Sequence, residues 1–133
     1  MKTYWDTSAI VVCLHDKTKV GLLRKGENYT RPHTLAELFS TLTGGRCAIR
    51  YAPKHAAALA ISLRPCFTFV ELNANETLAA LKGADGLNVH GGRVHDLMHA
   101  VAAAQCGAEQ LFTYNGKHFE GLVNGIPVLE PTG

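Results

Sequence analysis

The sequence predicts one α/β domain, a three-layer α/β/α sandwich around a central parallel sheet. Stretches with strand character alternate with stretches of helical periodicity, and parallel strands are joined by such helical crossovers. The chain has 133 residues, enough for one hydrophobic core and too few for two. No internal repeat, linker or low-complexity segment divides it. The expected domain therefore spans residues 1–133.

Residues 2–5 (KTYW) read as a short strand that ends at Asp6. The run SAIVVCL from Ser8 then opens a buried helix, with Thr7 or Ser8 available to cap it. After a polar stretch, HTLAELFSTLTGG places Leu35, Leu38, Phe39 and Leu42 at the i, i+3, i+4, i+7 positions of an amphipathic helix, which Gly44 and Gly45 stop. PKHAAALAISLR starts another helix with Pro53 in its first turn, and Pro65 closes it before the β-rich CFTFVEL. NETLAALKG reads as a short helix capped by Asn75, and GGRVHDLMHAVAAAQCG as a longer one ended by Gly107. EQLFTYN and IPVLEP are the last expected strands.

Composition excludes several classes. A chain that is 47% hydrophobic and 18% charged is too apolar for disorder. Its longest apolar run, Ala9 to Leu14, is far short of the ~20 residues of a membrane span, and Asp6 interrupts the region where a signal peptide needs apolar residues. A soluble, cytoplasmic protein with no membrane partner is expected. Cys13, Cys47, Cys66 and Cys106 form no C-x-x-C pair, so reduced thiols are expected rather than a zinc knuckle or redox motif. A net charge of +2 gives weak attraction to nucleic acid, although Arg24, Lys25, Arg31, Arg46, Arg50, Lys54, Arg93 and Lys117 could gather on one face.

Ligands of open parallel sheets bind beyond the carboxyl ends of the strands. Asp6 follows the first expected strand and Asn115 follows the one ending in LFT, so both project from the same edge. YWDTSA, TLAELFSTLT, GGRVHDLMHAVAAAQCG and LFTYNGKHF occur in that order over nearly the whole chain. Together they resemble the PIN-domain ribonucleases, of the kind found in VapC-type toxins of toxin–antitoxin pairs. The resemblance implies a PIN-like fold and magnesium- or manganese-dependent cleavage of RNA. It maps the acidic metal ligands onto Asp6, Glu37 and Asp96, with Asn115 at a fourth position where the family carries an acid. An amide supplies an oxygen but no charge, so one firmly held metal is expected. The resemblance also implies an RNA substrate, a cognate antitoxin and a homodimer.

The residues themselves leave alternatives open. Asp6 could cap the helix that follows it. Thr34 to Glu37 spells T-x-x-E, a capping box, and a helical wheel sets Glu37 opposite the Leu35/Leu38/Phe39/Leu42 stripe. Asp96 lies on the small-residue face of its helix with Ala100 and Ala103, away from Val94, Leu97, Met98 and Val101, where a charge calls for a partner or a metal. Thr113 could hydrogen-bond Asp6 or be an ordinary strand threonine. Lys117 and His118 lie near the same edge, while Phe119 reads as packing. His95 and His99 stand at i, i+4, but the glutamate of H-E-x-x-H is missing and no third ligand is spelled nearby, so zinc is not expected. Two other functions fit this pattern: a catalytically inactive PIN-like module binding RNA or protein, and a different metal-dependent phosphohydrolase using HDLMH.

Overall fold

A computed structural model describes residues 1–45 and 49–132, so Arg46 and Cys47 lie outside the described residues. Five parallel strands form the central sheet: β1 (Lys2–Trp5), β2 (Glu27–Thr30), β3 (Thr68–Phe69), β4 (Gln110–Phe112) and β5 (Val128–Leu129). Their spatial order is β3-β2-β1-β4-β5. Among the described residues five α-helices accompany them: α1 (Thr7–Leu14), α2 (Pro32–Thr43), α3 (Pro53–Ser62), α4 (Ala74–Gly83) and α5 (Arg93–Gln105). The chain builds outward from β1 to β3 on one side, then returns to lay β4 against the other side of β1. The strand order thus reverses between β1 and β4, and an open crevice forms beyond their carboxyl ends.

Alternation along β1 sends side chains to two cores. Trp5 packs with Ala9, Ile10 and Cys13 of α1, Leu38 and Leu42 of α2, and Ala56 of α3. Tyr4 points to the opposite face, among Ala100, Ala102 and Ala103 of α5, Leu111 and Phe119. The expected three layers follow from this division, and Phe119 is a packing residue, wholly buried.

β2 lies within the stretch that sequence patterning leaves without an element. Its inward residues are Asn28 and Thr30, which break the apolar signature of a strand. Tertiary partners satisfy them. The Trp5 indole N–H donates to Asn28 Oδ1 at 2.9 Å, Asn28 Nδ2 donates to the carbonyls of Leu22 and Leu23, and the Thr30 hydroxyl bonds the Trp5 carbonyl. Each bond offsets a burial cost no one-dimensional pattern reveals.

Helix starts also move. Asp6, rather than Thr7 or Ser8, caps α1, its Oδ1 accepting from the Ala9 N–H at 3.0 Å. Asn73, rather than Asn75, caps α4 in a reciprocal box with Glu76. α2 begins at Pro32, two residues before Thr34, so T-x-x-E forms no capping box. Thr34 is instead buried with Leu38 and Leu42. This rotates the buried face away from Phe39, which is exposed, and brings Glu37 to its flank. α5 ends as expected, with Gly107 taking a left-handed φ of 70° that only glycine adopts without strain. Among the described residues no helix is long and apolar enough to cross a membrane, and Cys13, Cys66 and Cys106 are free.

Candidate functional site

Asp6 and Thr113 meet where the strand order reverses. Asp6 leaves the end of β1 with its side chain almost wholly buried, and its backbone N–H still bonds the Phe112 carbonyl of β4. Asp6 Oδ1 accepts from the Ala9 N–H and from the Ser8 hydroxyl at 2.8 Å, and Oδ2 accepts from the Thr113 hydroxyl at 2.6 Å. Thr113 and Ser8 are themselves positioned: Thr113 Oγ1 accepts from the Asn115 N–H, and Ser8 Oγ from the Tyr114 N–H, both at 2.9 Å. A carboxylate with three donors is a rigid charge at a crevice mouth. Asp6 therefore does cap α1, and its charge stands at the sheet edge at the same time.

Glu37 approaches from α2. Its Oε1 accepts from His99 Nε2 at 2.9 Å and from the Thr7 hydroxyl at 3.2 Å. Burial pushes the Glu37 carboxyl up, but the His99 hydrogen bond, the nearby His99 and His33 imidazoles and Thr7 together hold it below the usual range. His99 is buried, and its Nδ1 makes a second hydrogen bond with the Tyr4 hydroxyl at 2.8 Å. Burial also drives the Tyr4 phenol well above its ordinary value, so it keeps its proton and can donate to Nδ1. Nε2 is then the N–H that donates to Glu37. Sequence reasoning saw His99 only as half of an i, i+4 histidine pair. Its role as the buried link between Tyr4 and Glu37 depends on residues 62 and 95 positions away.

Asp96, in the first turn of α5, is half-buried. Burial raises its carboxyl above the usual range; the negative charges of Asp6 and Glu37 add to this and His118 and His99 oppose it. His118 lies 3.8 Å away and is largely exposed, a weak pairing. Asp96 thus senses the charges of Asp6 and Glu37, but among the described residues the ligand atoms of Asp6, Glu37 and Asp96 do not gather within 4.8 Å of one another. Asn115 sits exposed at the start of a short 3-10 turn, Gly116–Phe119, and lines an open cleft with Thr7, Ser8, Val12, His15 and Lys17. Only its backbone N–H engages the Asp6 network, through Thr113.

A second grouping stands beside this one. One ligand atom each from His33, Glu37 and His95 lie within 4.8 Å of one another, a set that could hold a metal ion. The His33 and His95 rings are stacked at 5.6 Å between centroids. Burial first, then Arg31, His95 and His99, hold the His33 imidazole below its usual value against the opposing pull of Glu37.

Asp96→Asn is expected to raise the melting temperature in the presence of chelator. An acid whose folded-state value is raised weakens the fold at every pH above that value, and the penalty fades as pH falls toward the unfolded value of about 3.9. The gap between variant and wild type should accordingly be widest at neutral pH and close near pH 4. Equal melting at both pH values would mean that Asp96 is solvated rather than coupled to Asp6 and Glu37.

No known family's sequence profile matches the chain, and no curated protein is similar to it in sequence. Its fold is similar to that of a chain in the structure of VapBC-1 from nontypeable Haemophilus influenzae, with a TM-score of 0.70 at 20% identity over 98% of both chains. The five-stranded parallel sheet with flanking helices is thus a PIN-like three-layer fold.

Proposed function

We propose that this chain is a magnesium- or manganese-dependent endoribonuclease, the toxin of a type II toxin–antitoxin pair. What carries the reading is Asp6, a buried carboxylate fixed by Ser8 and Thr113 at the strand-order reversal, in a fold that matches a VapBC-1 chain over nearly its full length.

Asp6, Glu37 and Asp96 would hold the cation, with Asn115 as a neutral fourth donor at most. When bound, such an ion stabilises charge on phosphoryl oxygens and lowers the pKa of an attacking water. Everything else belongs to the chain. Asp6 is the anchor, since three donors prevent its carboxylate from rotating away. Glu37 remains ionised because His99 donates to Oε1, so its carboxylate can accept a proton from water at neutral pH. Thr113 positions Asp6 rather than touching substrate. His15, Lys17 and Asn115 border the open cleft beside Ser8, where a phosphodiester backbone would find donors. The partners in this reading are an RNA substrate, a cognate antitoxin and a second copy of the chain, in the cytoplasm.

The test is incubation of the purified chain with mixed cellular RNA, in magnesium, in manganese and in chelator, with the new ends sequenced. Cleavage at recurrent sites that disappears with chelator is the expected result. Equal cutting in chelator, or none with either metal, would overturn the nuclease reading in favour of a binding module.

A further inference from the structure

We infer that His33, Glu37 and His95 form a separate site for a borderline transition cation, zinc being the natural occupant, which shares Glu37 with the acidic crevice but draws its other two ligands from outside it. Residue spacing and tertiary packing build this site together. His33 and Glu37 are four residues apart on α2, so they lie on one face one turn apart. α5 lays His95 against that face, with the two imidazole rings 15° from parallel. Among the described residues this is the trio of His, Cys, Asp and Glu whose ligand atoms gather within 4.8 Å.

The donor chemistry separates it from the acidic crevice. Two imidazoles and one carboxylate suit zinc, whereas magnesium favours oxygen donors and its own waters. Both hydrogen bonds to Glu37 use Oε1, which leaves Oε2 available to a cation. His99 then serves as the outer partner that orients a ligating carboxylate. Bonds of about 2.0–2.1 Å in a tetrahedral zinc site separate ligand atoms by roughly 3.4 Å, so the side chains need close by little more than an ångström. His33 and His95 are exposed, free to make that adjustment, and leave the fourth position open to water. The two half-matched histidines of HDLMH thereby acquire distinct roles: His95 ligates, while His99 supports Glu37.

The experiment uses cobalt as the probe, on the whole chain and without RNA, so its outcome is independent of the nuclease reading. One equivalent of cobalt should produce the visible absorption bands of a four-coordinate ion, and one equivalent of zinc should erase them. His33→Gln and His95→Gln should each weaken cobalt binding by roughly tenfold or more. Asp96→Asn, which removes a nearby charge but no ligand, should weaken it far less than either histidine change. Cobalt binding equal in wild type and both histidine variants would overturn the assignment. So would bands abolished by Asp96→Asn alone, or strong near-ultraviolet thiolate bands that place the ion on cysteine.

Discussion

Asp6→Asn is expected to abolish RNA cleavage, by on the order of a hundredfold or more, the scale of losing one preorganised electrostatic contact at a reacting centre. It should also lower stability in chelator by about 1–2 kcal/mol. The activity loss follows from charge, since Asp6 is the carboxylate best fixed at the crevice. The stability loss follows from hydrogen bonding. An asparagine keeps one oxygen for the Ala9 N–H and the Ser8 hydroxyl, but its amide NH2 replaces the oxygen that accepts from Thr113. The Thr113 oxygen already accepts from the Asn115 N–H, and its own proton must then turn toward Ser8 Oγ, 3.3 Å away. Relief of like-charge repulsion alone would instead predict an unchanged or higher melting temperature, the behaviour expected of Asp96→Asn. Thermal melting in chelator and RNA cleavage in magnesium separate the two roles of Asp6. Cleavage at wild-type rate would reduce it to a helix cap.

His99→Ala is expected to cost about 2–4 kcal/mol at neutral pH, because it strands two partners at once in a buried place. The Tyr4 hydroxyl loses its acceptor, Glu37 loses its shorter hydrogen bond, and a side chain that was 3% exposed leaves a void beside the Tyr4 ring. The sign with pH follows from Glu37. Its folded-state value is depressed, so its stabilising contribution is complete above the unfolded value of about 4.3 and disappears as pH falls through the lower folded value. Without His99 the burial remains and its largest compensation is lost, so the Glu37 value should rise. Urea unfolding at pH 7 and below pH 4 should show the deficit of the variant shrinking on acidification. His99→Gln, which retains a donor toward Glu37 but fills the space differently, should fall between the two. A deficit below 1 kcal/mol at pH 7 would show that Tyr4 and Glu37 find other partners.

The residues of the crevice differ in how far they could be read without a fold. Asp6 was legible because a charge directly after a strand and before an apolar helix has few reasons to be there. Asp96 was legible because small neighbours on its helix face announce close packing, which the half-buried carboxyl of Asp96 reflects. Glu37 was obscured by its own helix. The periodicity of Leu35, Leu38, Phe39 and Leu42 turned it toward solvent, whereas Thr34, buried beside Leu38 and Leu42, turns that face by part of a turn and brings Glu37 onto His99. A hydroxyl counts as polar in any pattern, yet Thr34 is buried because Thr30 bonds it at 2.8 Å.

By itself the sequence determined the alternation of strands and helices, the parallel sheet that alternation requires, the stop at Gly107, and the delivery of Asp6 and Asn115 to one edge. These depend on periodicity and on local backbone chemistry, which short stretches of chain carry within themselves. Only the tertiary structure decided that a polar stretch would become β2, that Asp6 would bond Thr113 across 107 residues, and that His33, Glu37 and His95 would converge. Those outcomes depend on whether a buried polar group finds a partner, and the partner lies on another element. Local pattern records the hydrophobicity of each residue, but the free energy of burying an asparagine, a threonine or a histidine is set by the hydrogen bond waiting at the far end.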